Sequence, residues 1–448
     1  MSNHKTSFSL KFLAIASLAV IFFSSVSFVR AQDKVQDKDR DRGQVMLRRI
    51  KEDLKKNYYD PKYRGMDLDA RFKTAEEKIK TATSVGQIFG VIAQVLIELD
   101  DSHTFFIPPE RAYTNDYGWT MQMVGDQCFV STVDKGSDAE TKGVKPGDEV
   151  LEAGGYQIDR TNLWKFNYLY NALRPQPFIR VVLRSPNSEP RQLELLAKRK
   201  DGKRMKDLTN YNEYMDMVRK AEREADLGRD RLKAFGDQLL IWKMNEFDLT
   251  DSQVDQAMEK AHKYKTLILD LRGNGGGWVT TITRMLGNLI DHDVKIGDSV
   301  SRKEAKPLVA KSRAEKAYKG KLMVLVDSRS ASASEVLSRM IQLEKRGTII
   351  GDRTAGAVMT SRQHMDEVGL DVVVFYGLSI TVSDLIMTDG QSLEHRGVTP
   401  DEVRLPKAED FAAGRDVVLS YAASLAGVTL DPVEAGKLFP IERPKQRN

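Results

Sequence analysis

Only one cysteine, Cys128, occurs in 448 residues, so no disulfide can form within the chain and its stability must come from packing. Cys128 sits in the apolar run Cys128-Phe129-Val130 and reads as a small core residue. Histidine is also scarce, with six in all. None occurs with carboxylates at ligand spacing and thiolate pairs are absent, so no metal and no cofactor is expected. No lysine occurs between Lys345 and Lys407. An excess of one charge is missing too: the formal net charge of +5 is no nucleic-acid footprint. The glycine runs lack both the GxGxxG spacing of a dinucleotide site and the Lys-Ser/Thr pair of a P-loop.

What is present, 41% hydrophobic and 30% charged residues, suffices for two or three ordinary cores and predicts a multi-domain protein. Lys5 and Lys11, an apolar stretch over 12–23 and the ending Val29-Arg30-Ala31 have the three-part layout of a secretory signal over 1–31, cleaved after Ala31. An exported, periplasmic or extracellular protein follows. If the segment is not cleaved, its apolar character up to Val29 approaches spanning length and would make it a membrane anchor.

Along the rest of the chain the character changes four times. Apolar residues at helical spacing, among them Met46, Ile50, Leu54, Ile92 and Leu96, predict a helical domain over 40–112. Short β-rich runs at 128–133, 178–183 and 193–196, with one helix over 162–173, predict a small β-rich domain over 113–200. A charged, helix-favouring linker is expected over 201–236. Strands at 239–244, 266–271 and 322–326 alternate with helices at 252–261, 280–289 and 333–343, the pattern of an α/β core over 237–435 with a largely parallel sheet. Two further β-rich runs follow at 371–376 and 378–382, and a polar tail is expected over 436–448.

Two strand-to-helix junctions can carry chemistry. Leu325-Val326-Asp327-Ser328-Arg329-Ser330-Ala331-Ser332-Ala333-Ser334-Glu335 leads from a buried strand through small residues into a helix. A serine at such a junction faces the free N–H groups of the first helical turn, which suit a developing oxyanion. On spacing alone Ser332 and Glu335 also read as a capping box. Asp270-Leu271-Arg272-Gly273-Asn274-Gly275-Gly276-Gly277-Trp278 is the second junction, whose glycines permit close backbone approach.

Together these junctions resemble the C-terminal processing, or tail-specific, serine proteases, whose sites are built from such an Asn-Gly-Gly-Gly loop and a Ser-Ala-Ser-Ala-Ser-Glu turn. The resemblance covers most of the chain. It implies Ser332 as nucleophile, the N–H of Ala333 as half of an oxyanion hole and that of Gly276 or Gly277 as the other half. It also implies a ClpP/crotonase-like catalytic core, and a PDZ-like domain on the stretch around Gly143-Val144-Lys145-Pro146-Gly147-Asp148. In one branch of the family a lysine 25 residues after the serine acts as base. Ala357 stands there in this chain, and an alanine cannot take a proton.

The other branch, similar to the tricorn protease core, uses a Ser-His pair from the helical domain and a late glutamate. Asp101-Ser102-His103-Thr104 and Leu393-Glu394-His395-Arg396-Gly397 match those positions. The resemblance therefore implies His103 as general base, oriented by Ser102 and Glu394; which of the two touches His103 stays open. His364 and His395 remain substitutes for the base, whereas His262 and His292 sit in surface-like contexts. The PDZ-like part would bind an extended peptide or free C-terminus at a sheet edge, near Gly118, Trp119 and Thr120. Expected partners are thus peptide or protein substrates and no nucleic acid, with oligomeric state open. The readings carried forward are an active endopeptidase, a catalytically inactive PDZ-containing binding protein, and an esterase-like hydrolase.

Overall fold

A computed structural model describes residues 36–111, 113–201, 231–369 and 373–439. The expected signal over 1–31 and most of the expected linker lie outside these residues. Three helices come first: α1 (Asp37–Asn57), α2 (Leu68–Lys80) and α3 (Val85–Ile97). Side chains start the latter two, Asp67 accepting from the Ala70 N–H and Ser84 from the Gln87 N–H, as N-caps should. Their apolar faces meet, and Leu54, Ile79, Ile92 and Leu96 are fully buried there. Each such side chain contributes about 1.5–3 kcal/mol.

After α3 come β1 (Phe105–Ile107) and β2 (Tyr113–Asp116). A β-rich unit follows with β3 (Trp119–Val124), β4 (Gln127–Val133), α4 (Asp138–Thr141), β5 (Glu149–Ala153), β6 (Tyr156–Gln157), α5 (Leu163–Tyr168), β7 (Phe178–Arg184) and β8 (Arg191–Leu196). These form one sheet in the order β3-β4-β5-β7-β8, with β6 on β5. The short β9 (Lys198–Asp201) returns to pair antiparallel with β2 and closes the unit. Cys128 is buried within its core beside Val130 and Val150.

The remaining elements are β10 (Arg231–Phe235), β11 (Leu239–Lys243), α6 (Asp251–Ala261), β12 (Thr266–Asp270), α7 (Val279–Leu289), β13 (Val294–Ser301), β14 (Ala305–Ala310), β15 (Lys321–Val326), α8 (Ala333–Leu343), β16 (Thr348–Gly351), β17 (Met359–Val368), β18 (Val374–Met387), β19 (Glu402–Val403), α9 (Ala408–Ala412), α10 (Val417–Leu425) and α11 (Pro432–Leu438). A six-stranded sheet runs β10-β11-β12-β15-β16-β19, parallel from β11 onward. Its central strands β11, β12 and β15 bury both faces, which explains their unbroken apolar runs. Leu240, Trp242, Leu267, Leu269, Val324 and Val326 face α6, α7 and α8, while Leu239, Ile241, Ile268, Met323 and Leu325 face α10 and α11.

A second sheet, β1-β18-β13-β14 with β17 also on β18, joins the N-terminal helices to the core. Tyr376, Leu378 and Ile380 of β18 pack into the helical cluster together with Phe106 of β1.

Three expectations need correction. Within the expected helical linker, Arg231–Phe235 is a strand, because it pairs with all five residues of β11. The two runs expected at 371–376 and 378–382 are, over the described residues, one strand of 14 residues, held straight through Gly377 by β17 and β1. The expected tail begins inside α11, which Asp431 caps through the N–H groups of Val433 and Glu434.

Candidate active site

The β15–α8 loop is stitched to the glycine loop that follows β12. Asp327 accepts the Gly273 N–H at 2.8 Å. Ser330 Oγ donates to the Leu271 carbonyl at 2.8 Å, and Ser334 Oγ donates to the Asn274 carbonyl at 3.0 Å. Lys243 from β11 donates to the Arg272 carbonyl and lies 3.3 Å from Asp270. The small side chains of this run are what allow two loops to lie this close.

At the end of the loop Ser332 adopts φ 54° and ψ −114°. This left-handed backbone costs a non-glycine residue about 1–3 kcal/mol. Its N–H is held between the Ala357 carbonyl at 2.9 Å and Glu335 Oε2 at 3.0 Å, whereas its hydroxyl makes no cap bond to α8. The hydroxyl is therefore left for other chemistry.

Donors for an oxyanion stand beside it. As the first residue of α8, Ala333 has an N–H with no acceptor among the described residues. Gly276 packs so closely that a Cβ there would lie 2.6 Å from Ser332 Cβ. Its own N–H is engaged by Asn274 Oδ1 at 2.9 Å, which removes it as a free donor. The next residue, Gly277, faces Phe247 through its neighbours' hydrogen bonds, Phe247 N–H to the Gly276 carbonyl and Trp278 N–H to the Phe247 carbonyl. The Gly277 N–H consequently points away from Phe247 and has no acceptor among the described residues.

The histidine arrives from the other end of the chain. Beyond α3 the backbone turns at Asp100, φ 51°, and enters β1, whose register on β18 is Phe105 opposite Ser379. Buried Asp101 secures the turn by accepting from the His103 N–H at 2.9 Å, the Thr104 N–H at 3.1 Å and the Thr381 hydroxyl at 2.6 Å. His103 Nδ1 lies 2.7 Å from Ser102 Oγ, and Ser102 Oγ lies 2.9 Å from Glu394 Oε2. Glu394 Oε1 also accepts the Ser102 N–H at 2.8 Å.

A hydroxyl has one proton to give. Ser102 gives its proton to the carboxylate, so it must accept from Nδ1–H, and His103 Nε2 is then left with its lone pair. Burial holds the ring's pKa below its usual value against the opposing fields of Glu394 and Asp101, which favours that neutral form. No hydrogen bond joins Nε2 to Ser332 Oγ among the described residues. The two sides are instead linked through one peptide unit. The Ala357 carbonyl accepts from the Ser332 N–H, and the Val358 N–H of the same unit donates to Glu394 Oε2 at 2.8 Å.

The other histidines fall elsewhere. His395 Nε2 lies 2.9 Å from the Asp100 carbonyl and 3.7 Å from Glu394 Oε1, so it borders the carboxylate and not the serine. His364 sits on β17 opposite Leu378, where Asp53 of α1 feels its field. His262 Nε2 lies 3.0 Å from the Lys316 carbonyl, and exposed His292 pairs with Asp291 and Glu344. At the expected peptide site, Trp119 and Thr120 lie on β3, an edge of its sheet, but the Gly118 N–H is engaged by Asp116 Oδ1 at 3.0 Å and cannot meet a carboxylate. Among the described residues no group of three His, Cys, Asp or Glu could hold a metal ion, and no helix is long and apolar enough to cross a membrane.

Residues 238–404 match the model of peptidase family S41. This segment, less than half of the chain, is what is similar to that family. Over 363 residues the chain is 26% identical to the tail-specific protease of Haemophilus influenzae, covering 77% of this chain and 49% of that protein. The chain thus spans about half the length of that relative. It is 24% identical over 397 residues to the carboxy-terminal processing protease CtpA of Bacillus subtilis, with 86% of this chain and 74% of that one covered. Among solved structures, mature CPAF superposes with a TM-score of 0.62 at 14% identity, covering 84% of this chain and 94% of that one, a likeness of fold.

Sequence reasoning passed over three parts of this candidate site. Asp101 was legible only as the start of its Ser-His motif, and Glu335 only as a capping partner. The Ala357–Val358 peptide carries no side-chain signal at all.

Proposed function

We propose that the chain is an exported serine endopeptidase of the histidine-based branch, cleaving peptides or protein C-terminal regions through an acyl-enzyme on Ser332. The observation that carries this reading is the relay Glu394–Ser102–His103, because its hydrogen-bond directions leave a basic Nε2 on the ring. Residues 1–31, with the layout of a secretory signal, support export.

In this mechanism Ser332 Oγ attacks the scissile carbonyl carbon while its proton passes to His103 Nε2. The negative oxygen of the tetrahedral intermediate accepts from the Ala333 and Gly277 N–H groups. Collapse expels the amine, which takes the proton from His103, and water then repeats the sequence in reverse to release the acid. Glu394, through Ser102, steadies the imidazolium that forms on the way. Ser332 Oγ must come within reach of Nε2 for the first step, a contact made when bound peptide closes the cleft. The β-rich unit acts as a PDZ-like module that adds a peptide to the free edge of β3, near Trp119 and Thr120.

Labelling with a fluorophosphonate probe tests this. Native protein is expected to be modified at Ser332, and His103→Ala to abolish the modification with the fold intact. Unlabelled wild-type protein would overturn the catalytic reading in favour of a non-catalytic peptide-binding protein, the reading that the missing Ser332–His103 contact favours. Faster turnover of small acyl esters than of unfolded protein would assign an esterase instead.

A further inference from the structure

The carboxylate of Glu335, on the first turn of α8, is fully buried and has no cation partner among the described residues. It accepts four hydrogen bonds: the Thr354 hydroxyl at 2.6 Å, the Gly356 N–H at 2.7 Å, the Ala357 N–H at 2.9 Å and the Ser332 N–H at 3.0 Å. Three of these are N–H groups that can only donate. The fourth is a donor as well in this structure: Thr354 Oγ1 gives its proton to Glu335 while it accepts the Val398 N–H at 2.6 Å. Four donors converge on one carboxyl group, and only the ionised form accepts from all of them. A proton on Oε2 would face only the Ala357 and Ser332 N–H groups and find no acceptor, and one on Oε1 would have to reverse the Thr354 hydroxyl, so either costs one of the four bonds.

The groups so gathered are not arbitrary. One is the nucleophile residue's own N–H, and the others belong to the 354–357 loop, whose last peptide unit continues to Glu394. We infer that Glu335 is a positioning residue for the Ser332 chemistry: its ionised carboxylate clasps the Ser332 turn to the 354–357 loop and thereby keeps the nucleophile aligned with the Glu394–Ser102–His103 relay. The inference rests on the peptidase reading above.

The charge is held where it is poorly tolerated. Burial pushes the Glu335 pKa up to about 7 despite the four donors, and its place at the helix N-terminus favours the anion only in part. No charged side chain touches the carboxylate among the described residues. The ionisable groups along its hydrogen bonds are Glu394 and His103, beyond the Ala357–Val358 peptide, and at the start of the loop Arg353, next to Thr354, and Asp352, which pairs with Arg160 at 2.6 Å. The clasp therefore opposes stability and activity to each other. A carboxyl whose folded pKa lies above its unfolded value stabilises the fold below the unfolded value, and that contribution is lost as pH rises through the folded one. Activity runs the other way and appears as the carboxyl ionises.

The test is the rate of fluorophosphonate labelling of the full chain between pH 5 and 9, alongside thermal unfolding, for wild type, Glu335→Gln and Thr354→Val. Glu335→Gln cannot accept from four donors, and is expected to label at least tenfold more slowly at pH 8 without a lower melting temperature there. Thr354→Val removes one donor, makes ionisation harder, and should move the acid limb of labelling to higher pH, a shift that titration of His103 does not produce. Should Glu335→Gln fail to fold, Thr354→Val still decides. If wild type labels at Ser332 while both variants reproduce its rate and pH profile, the inference is overturned and the peptidase reading stands. If wild type does not label, it is that reading that fails.

Discussion

At the scale of single residues, the direction of each proton along the relay decides what each side chain can do. Ser102 is both a donor to Glu394 and an acceptor from His103, so it selects the ring tautomer as well as its angle. Replacing it with alanine removes that selection without touching Ser332, the proposed nucleophile. For Ser102→Ala we expect kcat to fall by about 10²-fold with KM within twofold, measured as steady-state cleavage of an unfolded protein substrate. A larger change in KM than in kcat would show that Ser102 acts in binding instead. Gly276 sets a steric limit of a different kind. A Cβ there would lie 2.6 Å from Ser332 Cβ on a backbone at φ 104°, so Gly276→Ala should shift the Ser332 turn and abolish labelling while the melting temperature drops only modestly.

At the scale of elements, β18 does the joining, since it carries the helical cluster on one stretch and pairs with β13 on another. The turn bearing His103 is tied to it by Asp101 and Thr381. Asp101→Ala would leave several buried donors without an acceptor, at a cost of about 1–3 kcal/mol each. Chemical denaturation of that variant should therefore show a lower midpoint, with lost activity following from the displaced ring. Much of this level was legible beforehand. The apolar runs of β11, β12 and β15 are buried on both faces and announce themselves in any window, as do the helical faces of α1 and α3. The β13–β14 hairpin was not, because Lys295, Asp298, Ser299 and Lys306 give a ribbon half open to solvent and weakly patterned. Gly377 made β18 look like two strands. The meeting of Ser102 with Glu394, 292 residues apart, has no local signal; only the family pattern pointed to it, and the intervening peptide link had none.

At the scale of the whole molecule, the β-rich unit meets the core through Arg160. Its guanidinium donates to Asp352 Oδ2 at 2.6 Å, to the Gly125 carbonyl at 2.7 Å and to the Arg353 carbonyl at 3.0 Å, while Phe129 stacks on Phe411 at 6.1 Å. Burial raises the Asp352 pKa even with Arg160 beside it, so Arg160→Ala strands a poorly solvated carboxylate at a cost of about 3 kcal/mol. Limited proteolysis should then cut the chain faster between the unit and the core. His103 adds a pH dependence of its own. A histidine whose folded pKa is depressed takes up its proton in the unfolded chain first, so stability is lost on acidification below its unfolded value of about 6.5. Comparing wild-type and His103→Gln melting temperatures from pH 7 to 5 reads this directly, and the difference should shrink as pH falls. Finally, the proposed base, His103, precedes β1 (Phe105–Ile107), yet the strand that receives β1 spans Val374–Met387 and the carboxylate stands at Glu394. A ribosome must therefore have made almost the entire polypeptide before the Glu394–Ser102–His103 arrangement can exist, and under the proposed mechanism a partly synthesised chain has no means of attacking its neighbours.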